Sequence, residues 1–132
     1  MWRLGFAASL ASKLGDTASS EVGKAYGRTT YLITTLQRVP RGTEGAVSAE
    51  GTAAGVVAAA GMATLALALG QLDSRGWGAC VAAAFIANTA ESVLGASLQG
   101  RVAWLSNDVV NLLQISLAAA LAVLFGLAAP AL

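Results

Sequence analysis

Two lysines, two carboxylates and a run of hydroxyls fall within KLGDTASSEVGK at 13–24, in a segment otherwise built of Ala, Leu, Val and Gly. On a helix, Ser9, Ser12/Lys13, Asp16/Thr17, Ser20 and Lys24 recur at three- and four-residue steps and share one face. Leu4, Ala7/Ala8, Ala11, Leu14, Ala18, Val22 and Ala25 take the opposite face. Further acids and amides recur downstream as Asn88, Glu91/Ser92, Gly95 and Gln99, then as Asn107, Asp108, Asn111 and Gln114. Between these groups lies RVPRGTEG at 38–45, a loop of Arg, Gly and Thr. Carboxylates and amides facing such a loop suit phosphoryl transfer between polyanions. That chemistry needs Mg²⁺ on carboxylates, with cations and backbone amides on the phosphates. Asp16, Glu21, Glu91 and Asp108 are the candidate catalytic and Mg²⁺-holding groups. Lys13, Ser20, Arg38, Arg41, Gly42, Thr43, Gln99, Asn107 and Asn111 are the candidate substrate and phosphate contacts. Histidine is absent. This is no obstacle, because a phosphate acceptor is already ionised and needs no general base.

The same residues fit blander roles. A Lys–Asp–Glu stripe serves equally as a structural ion-pair network or solvated face. Asn88, Gln99 and Asn111 fit interhelical hydrogen bonding, and Arg38 and Arg41 fit contact with anionic lipid headgroups. Asp108 fits a first-turn charge on its helix. The loop is no Walker motif, since GxxxxGK[ST] is missing.

Composition decides what must position these groups. The 132 residues are 56% hydrophobic and 11% charged, with a mean hydropathy of +0.67, against roughly 25% charged in an ordinary soluble domain. A soluble bundle could not cover its surface with so few charges. The chain therefore reads as an all-α polytopic membrane bundle of about four spans, a single domain over 1–132. The helices are expected at 4–25, 51–71, 77–98 and 107–127, with one longer loop at 26–50 in which YLITTL at 31–36 suits a short strand or interfacial piece. The first span is too polar to face lipid alone, so its stripe must meet other helices or a wet cavity. The second has small residues Gly51, Gly55 and Ala59 at four-residue spacing, which permits close helix approach. Trp104 suits an interfacial anchor, and Ser106 or Asn107 suits the N-cap of the fourth span. Cys80 is the single cysteine, so there is no disulfide framework or thiolate metal cluster. A net charge of +1 says nothing about nucleic acid, and with no basic patch interleaved with aromatics no nucleic-acid partner is expected. The N-terminus lacks the pattern of a cleavable signal or transit peptide.

Alternating spans put the 26–50 loop and the 100–106 link on one side, with Lys24, Arg28, Arg38, Arg41 and Arg101. The other side carries Arg3 and Arg75. The excess of cations places the first side in the cytoplasm or stroma. All four spans then set their polar residues in that same half of the bilayer.

The stretch SKLGDTASSEVGKAYGRTTYLITTLQRVPRGTEGAVSAEGTAAG at 12–55 resembles the phytyl-phosphate kinases of chloroplast tocopherol synthesis, part of a wider membrane family that includes the transmembrane protein 19 group. The likeness continues in IANTAESVLGASLQG at 86–100 and WLSNDVVNLLQISL at 104–117. It implies a plastid membrane, envelope or thylakoid, with the cavity facing the stroma. It also implies a reaction: a nucleoside triphosphate, CTP, converts phytyl monophosphate to phytyl diphosphate for tocopherol and phylloquinone synthesis. By position the DTxSSE motif falls on Asp16, Thr17, Ser20 and Glu21, and the loop motif on Pro40, Arg41, Gly42, Thr43, Glu44 and Gly45. The later motifs fall on Glu91, Ser92, Gly95, Gln99, Asn107, Asp108 and Asn111. Members of that family carry further hydrophobic spans before DTxSSE. The expectation is thus the C-terminal part of a larger protein, completed by missing N-terminal helices or by a homo-oligomer in the lipid bilayer. The alternative is a non-catalytic multi-pass membrane protein, or a carrier for prenyl phosphates or anionic solutes.

Overall fold

The computed structural model describes residues 1–128; residues 129–132 of the expected domain lie outside them. Four helices carry the fold: α1 (Trp2–Tyr26), α2 (Ala49–Ala68), α3 (Ser74–Ser97) and α4 (Asn107–Ala128). Between α1 and α2 the chain forms a two-residue antiparallel ladder, β1 (Tyr31–Leu32) against β2 (Ala46–Val47), with Tyr31 opposite Val47. Three helices, α2, α3 and α4, are long and apolar enough to cross a membrane. The fold is an all-α membrane bundle, and α1 packs against each of the other three helices.

Side-chain caps set where the helices begin. Ser48 accepts the Gly51 N–H at 3.1 Å, which starts α2 at Ala49, ahead of the expected 51. Asp73 accepts the Gly76 N–H at 2.7 Å and starts α3 at Ser74, ahead of the expected 77. Ser106 accepts the Val109 N–H at 3.3 Å and so caps α4. α2 stops early, at Ala68, because Gly70 takes φ +67°. Gly70 and Gln71 N–H groups then close back onto the Leu67 and Ala66 carbonyls at 3.0 and 2.9 Å, the Schellman arrangement.

Size decides which side chains lie inside. The buried cluster is mostly alanine: Ala7, Ala8, Ala11, Ala59, Ala63, Ala83, Ala84 and Ala122, joined by Leu4 and Cys80. Larger apolar residues such as Leu65, Phe85, Leu112 and Leu124 point outward. That distribution suits lipid, where close packing of small residues associates helices and bulky apolar groups cost nothing outside. The tightest approach joins α1 to α2. A Cβ on Gly51 would stand 2.6 Å from the Ser19 carbonyl oxygen, and one on Gly55 2.9 Å from that of Gly15. On α1 the buried face is Leu4, Gly5, Ala7, Ala8, Ala11, Ser12 and Gly15. Leu14, on the side of the helix away from the polar stripe, is 42% exposed and continues an outward stripe from Phe6 and Leu10. Through its first half the uncovered side of α1 carries the apolar stripe of Phe6, Leu10 and Leu14, whereas toward its C-terminal end Thr17, Ser20, Glu21 and Lys24 are exposed.

Candidate functional site: a polar cavity at one end of the bundle

The end of the bundle that bears the loop between α1 and α2 holds a cavity of about 300 Å³, walled by α1, α3, α4 and that loop. Its depth is set by three polar residues that meet across the bundle. Ser12 and Gln114 are buried, and Gln114 Nε2 donates to Ser12 Oγ at 3.1 Å while abutting the Asn88 carboxamide. With its amide turned so that both ends are satisfied, Asn88 donates to the Ser12 and Ala84 carbonyls at 3.0 and 3.2 Å. In that orientation it accepts from the Asp16 N–H at 3.0 Å. One residue each from α1, α3 and α4 thus closes the floor. Ser9, one turn further down, ties α1 to α4 by donating to the Ile115 carbonyl at 3.1 Å.

Above this floor Lys13 Nζ donates to Asp16 Oδ2 at 3.1 Å and to Asn111 Oδ1 at 2.9 Å. The Asp16 side chain is only 14% exposed. Glu91 enters from α3, and the charges acting on it are Asp16, Glu44 and Lys13. Four carboxylates and two lysines line the cavity, and Asp16, Glu44 and Glu91 share its interior with Lys13. Hydroxyls of Thr17, Ser20, Thr43 and Ser92 complete a lining that is mostly polar. At the rim Lys24 pairs with Glu21 at 3.6 Å, where both side chains are more than half exposed; a pair in that setting is worth little.

The loop roofs the cavity because it is pinned at both ends. The Ile33 N–H donates to the Gly45 carbonyl at 3.0 Å, and Gly45 lies against α3 with φ +73°. A Cβ there would come within 2.6 Å of the Ser92 carbonyl oxygen, so only glycine lets the loop close on the helix. Thr43 folds the tip by donating to the Pro40 carbonyl at 2.7 Å.

Of the residues singled out from sequence, Lys13, Asp16, Ser20, Glu21, Gly42, Thr43, Glu91, Asn107 and Asn111 all line this cavity. Four are placed elsewhere. Asp108 is exposed and outside the lining, because it sits one residue on from Asn107 and so about 100° around the helix. Arg41 donates to the Ala25 and Lys24 carbonyls at 3.1 and 3.5 Å, which caps the C-terminus of α1. Arg38 is exposed beside the ladder, bridged to Tyr31. Gln99 faces a neighbouring hollow shared with Glu44 and Asn107, and its Oε1 is buried without a protein partner among the described residues. Glu44, Lys24, Thr30 and Ser48 line the cavity without having been singled out as site residues. Glu44 could have been found, because the loop motif passes through it.

Among the described residues no group of three or more His, Cys, Asp or Glu side chains stands ready-made to hold a metal ion. Asp16, Glu44 and Glu91 nonetheless share one cavity. That donor set does not fit an all-protein cage. It fits Mg²⁺ held by one or two carboxylates that keeps its other positions for water and phosphate oxygens.

Fold and cavity together define an integral membrane protein with a polar site sunk into a small-residue helix bundle. The chain belongs to the family described as Integral membrane protein DUF92, which matches residues 1–119. It is 52% identical over 126 residues to Protein VTE6, chloroplastic, of Arabidopsis thaliana, covering 94% of this chain and 38% of that protein. An uncharacterized membrane protein of a Synechocystis strain is 54% identical over 120 residues, covering 91% of this chain and 46% of the relative. One from Methanocaldococcus jannaschii is 36% identical over 114 residues, covering 85% and 47%. The chain thus spans between about two fifths and a half of the length of these relatives. No solved structure matches it.

Proposed function

We propose that the cavity is the phosphate-handling site of a membrane isoprenyl-phosphate kinase, which phosphorylates phytyl monophosphate to phytyl diphosphate with a nucleoside triphosphate. Family likeness points to CTP as the donor and to tocopherol and phylloquinone synthesis as the destination. The observation that carries the reading is a single cavity in which Lys13, Asp16 and Glu91 face a glycine-bearing loop that contributes Glu44. Kinship with a chloroplastic protein supports a plastid membrane, and the basic loop supports a stromal opening. The chain is read as part of a longer protein. The outward stripe of Phe6, Leu10 and Leu14 on α1 suits further spans or a second copy.

In this reading a monophosphate oxygen attacks the terminal phosphorus of the nucleotide, the bridging P–O bond breaks, and the nucleoside diphosphate leaves. The acceptor is already an anion, so the protein's work is positioning and charge neutralisation. Lys13, held between Asp16 and Asn111, presents its ammonium to the acceptor phosphate. Thr43, Ser20 and the backbone around Gly42 supply donors to equatorial oxygens. Asp16 and Glu91, with Glu44 from the roof, would hold Mg²⁺. When bound it neutralises charge developing on the transferred group. The three carboxylates also repel a bare polyanion, which makes the cation a condition for nucleotide binding.

The second reading is a carrier or non-catalytic binder of prenyl phosphates. It is favoured by one observation: Lys13 is the cation within the depth of the cavity, while Arg38 and Arg41 lie outside its lining. A carrier binds the monophosphate with equal affinity with and without nucleotide. The kinase reading requires a diphosphate product that depends on both nucleotide and Mg²⁺.

A further inference from the structure

Beside the polar cavity lies a second hollow of about 220 Å³ between α2 and α3, with a mostly apolar lining. The two share Ser19, Val47, Asn88 and Ser92, so they lie side by side with a largely polar boundary between them. Beyond that boundary the walls are Val56 and Ala59 from α2, Val81 and Phe85 from α3, and Ile33 from the loop. Ala59 is buried, whereas Val56 and Phe85 are 38% and 47% exposed. Because α2 and α3 are both long and apolar enough to span a bilayer, that exposed edge meets lipid. The hollow is therefore a groove exposed at its outer edge and adjoining the cavity at its inner one. It exists because α2 leans on α1, through Gly51 and Gly55, and presents to α3 only small and β-branched side chains on this face.

We infer that this groove between α2 and α3 holds the first isoprene units of an isoprenyl monophosphate whose phosphate lies in the adjoining cavity. The inference rests on the phosphate-handling reading for the head and adds where the tail goes. A polar cavity joined to an apolar groove matches one amphiphile with one charged end. The boundary residues Asn88, Ser92 and Ser19 supply polar atoms at the level where ester oxygen gives way to hydrocarbon. At roughly 30 Å³ per water-sized group the groove takes about seven such groups, between one and two isoprene units. The remainder of a long chain lies in the bilayer. Selectivity accordingly falls on branching near the head, not on total length.

Photo-crosslinking of the full-length protein in phosphatidylcholine nanodiscs tests this. The probes are farnesyl monophosphate carrying a diazirine on its first isoprene unit, and the matching alcohol. Protection of Lys13 from an amine-reactive reagent by inorganic phosphate is measured in parallel. The groove predicts cross-links within 52–59 and 81–89, reduced about tenfold by unlabelled farnesyl or geranylgeranyl monophosphate, the two competing within about twofold. Val56→Trp, at a half-open wall, should lower the cross-links about tenfold and leave phosphate protection of Lys13 intact. Phe85→Ala, which removes bulk instead of adding it, should keep labelling on α2 and lose it at 85. Cross-links spread over outward residues such as Leu112, Leu113 and Leu124, or competition by phosphatidic acid equal to that by the prenyl monophosphates, would overturn the groove. Equal labelling by alcohol and monophosphate, without phosphate protection of Lys13, would leave the groove standing and overturn the phosphate reading.

Discussion

Lys13 Nζ stands 2.9 Å from Asn111 Oδ1, a bond that joins residues 98 apart in sequence and fastens α1 to α4. The same nitrogen holds Asp16 Oδ2 at 3.1 Å. One ammonium thus serves two partners that leave it facing the cavity, and the interhelical contact and the candidate phosphate contact depend on the same atom.

Replacing Lys13 by Gln keeps a hydrogen-bonding group and removes the charge. Charged hydrogen bonds are worth about 1.5–3 kcal/mol, so affinity for prenyl monophosphate should fall between about tenfold and a hundredfold. Asp108→Asn is the matched control. It alters an exposed carboxylate outside the lining and should leave affinity within about twofold. Titration calorimetry in nanodiscs reads both.

Gly51 and Gly61 lie on one helix in opposite surroundings. A Cβ at Gly51 would meet the Ser19 carbonyl oxygen at 2.6 Å, whereas nothing lies within 4 Å of one at Gly61. Gly51→Ala should destabilise by about 1–3 kcal/mol, as overpacking does. Gly61→Ala should be neutral or stabilising by a few tenths, up to about 1 kcal/mol, from helix propensity. Thermal unfolding in detergent separates the two.

The roof can be loosened at one glycine and strained harmlessly at another. Gly42 and Gly45 both take positive φ, at +82° and +73°, and only Gly45 is pressed on α3. Gly42→Ala should cost about 1–2 kcal/mol in backbone strain with the cavity intact. Gly45→Ala adds a clash that lifts the loop. It should expose residues 30–48 to hydrogen exchange and weaken phosphate binding more than Gly42→Ala does.

The floor should respond to Gln114→Leu, which leaves the Ser12 hydroxyl without its α4 donor. Interhelical polar contacts in membranes are worth on average about 0.6 kcal/mol and at most about 1.7, so unfolding should shift by an amount in that range. Because Asn88 also bonds the Asp16 N–H, Asn88→Ala should weaken phosphate binding as well as stability. Gln114→Leu should act mainly on stability.

The helices were legible because apolar runs of span length and a charged stripe at helical period leave few other readings. The fourth helix starts at Asn107 as expected, whereas α2 and α3 start two and three residues early, since Ser48 and Asp73 cap from within stretches that read as loop. Within the site, Asp16, Glu91, Asn107 and Asn111 were visible as periodic polar residues in apolar spans. Periodicity could not tell Asn107 from Asp108, because orientation about α4 is fixed by what the helix packs on. Nor could it show that Arg41 spends its guanidinium on the end of α1. Glu44 escaped because a loop has no period, and its place in the cavity depends on Gly45 meeting α3. The groove beside Asn88 was not legible at all, being a gap between two helices that each read simply as spans.

The most direct measurement is phosphoryl transfer by the full-length protein in liposomes supplied with phytyl monophosphate, Mg²⁺ and each nucleoside triphosphate in turn. Phytyl diphosphate should form with at least one nucleotide, vanish without Mg²⁺, fall at least a hundredfold in Asp16→Asn and persist in Asp108→Asn. No diphosphate from any nucleotide, or full activity in Asp16→Asn, would contradict a phosphate-transferring cavity.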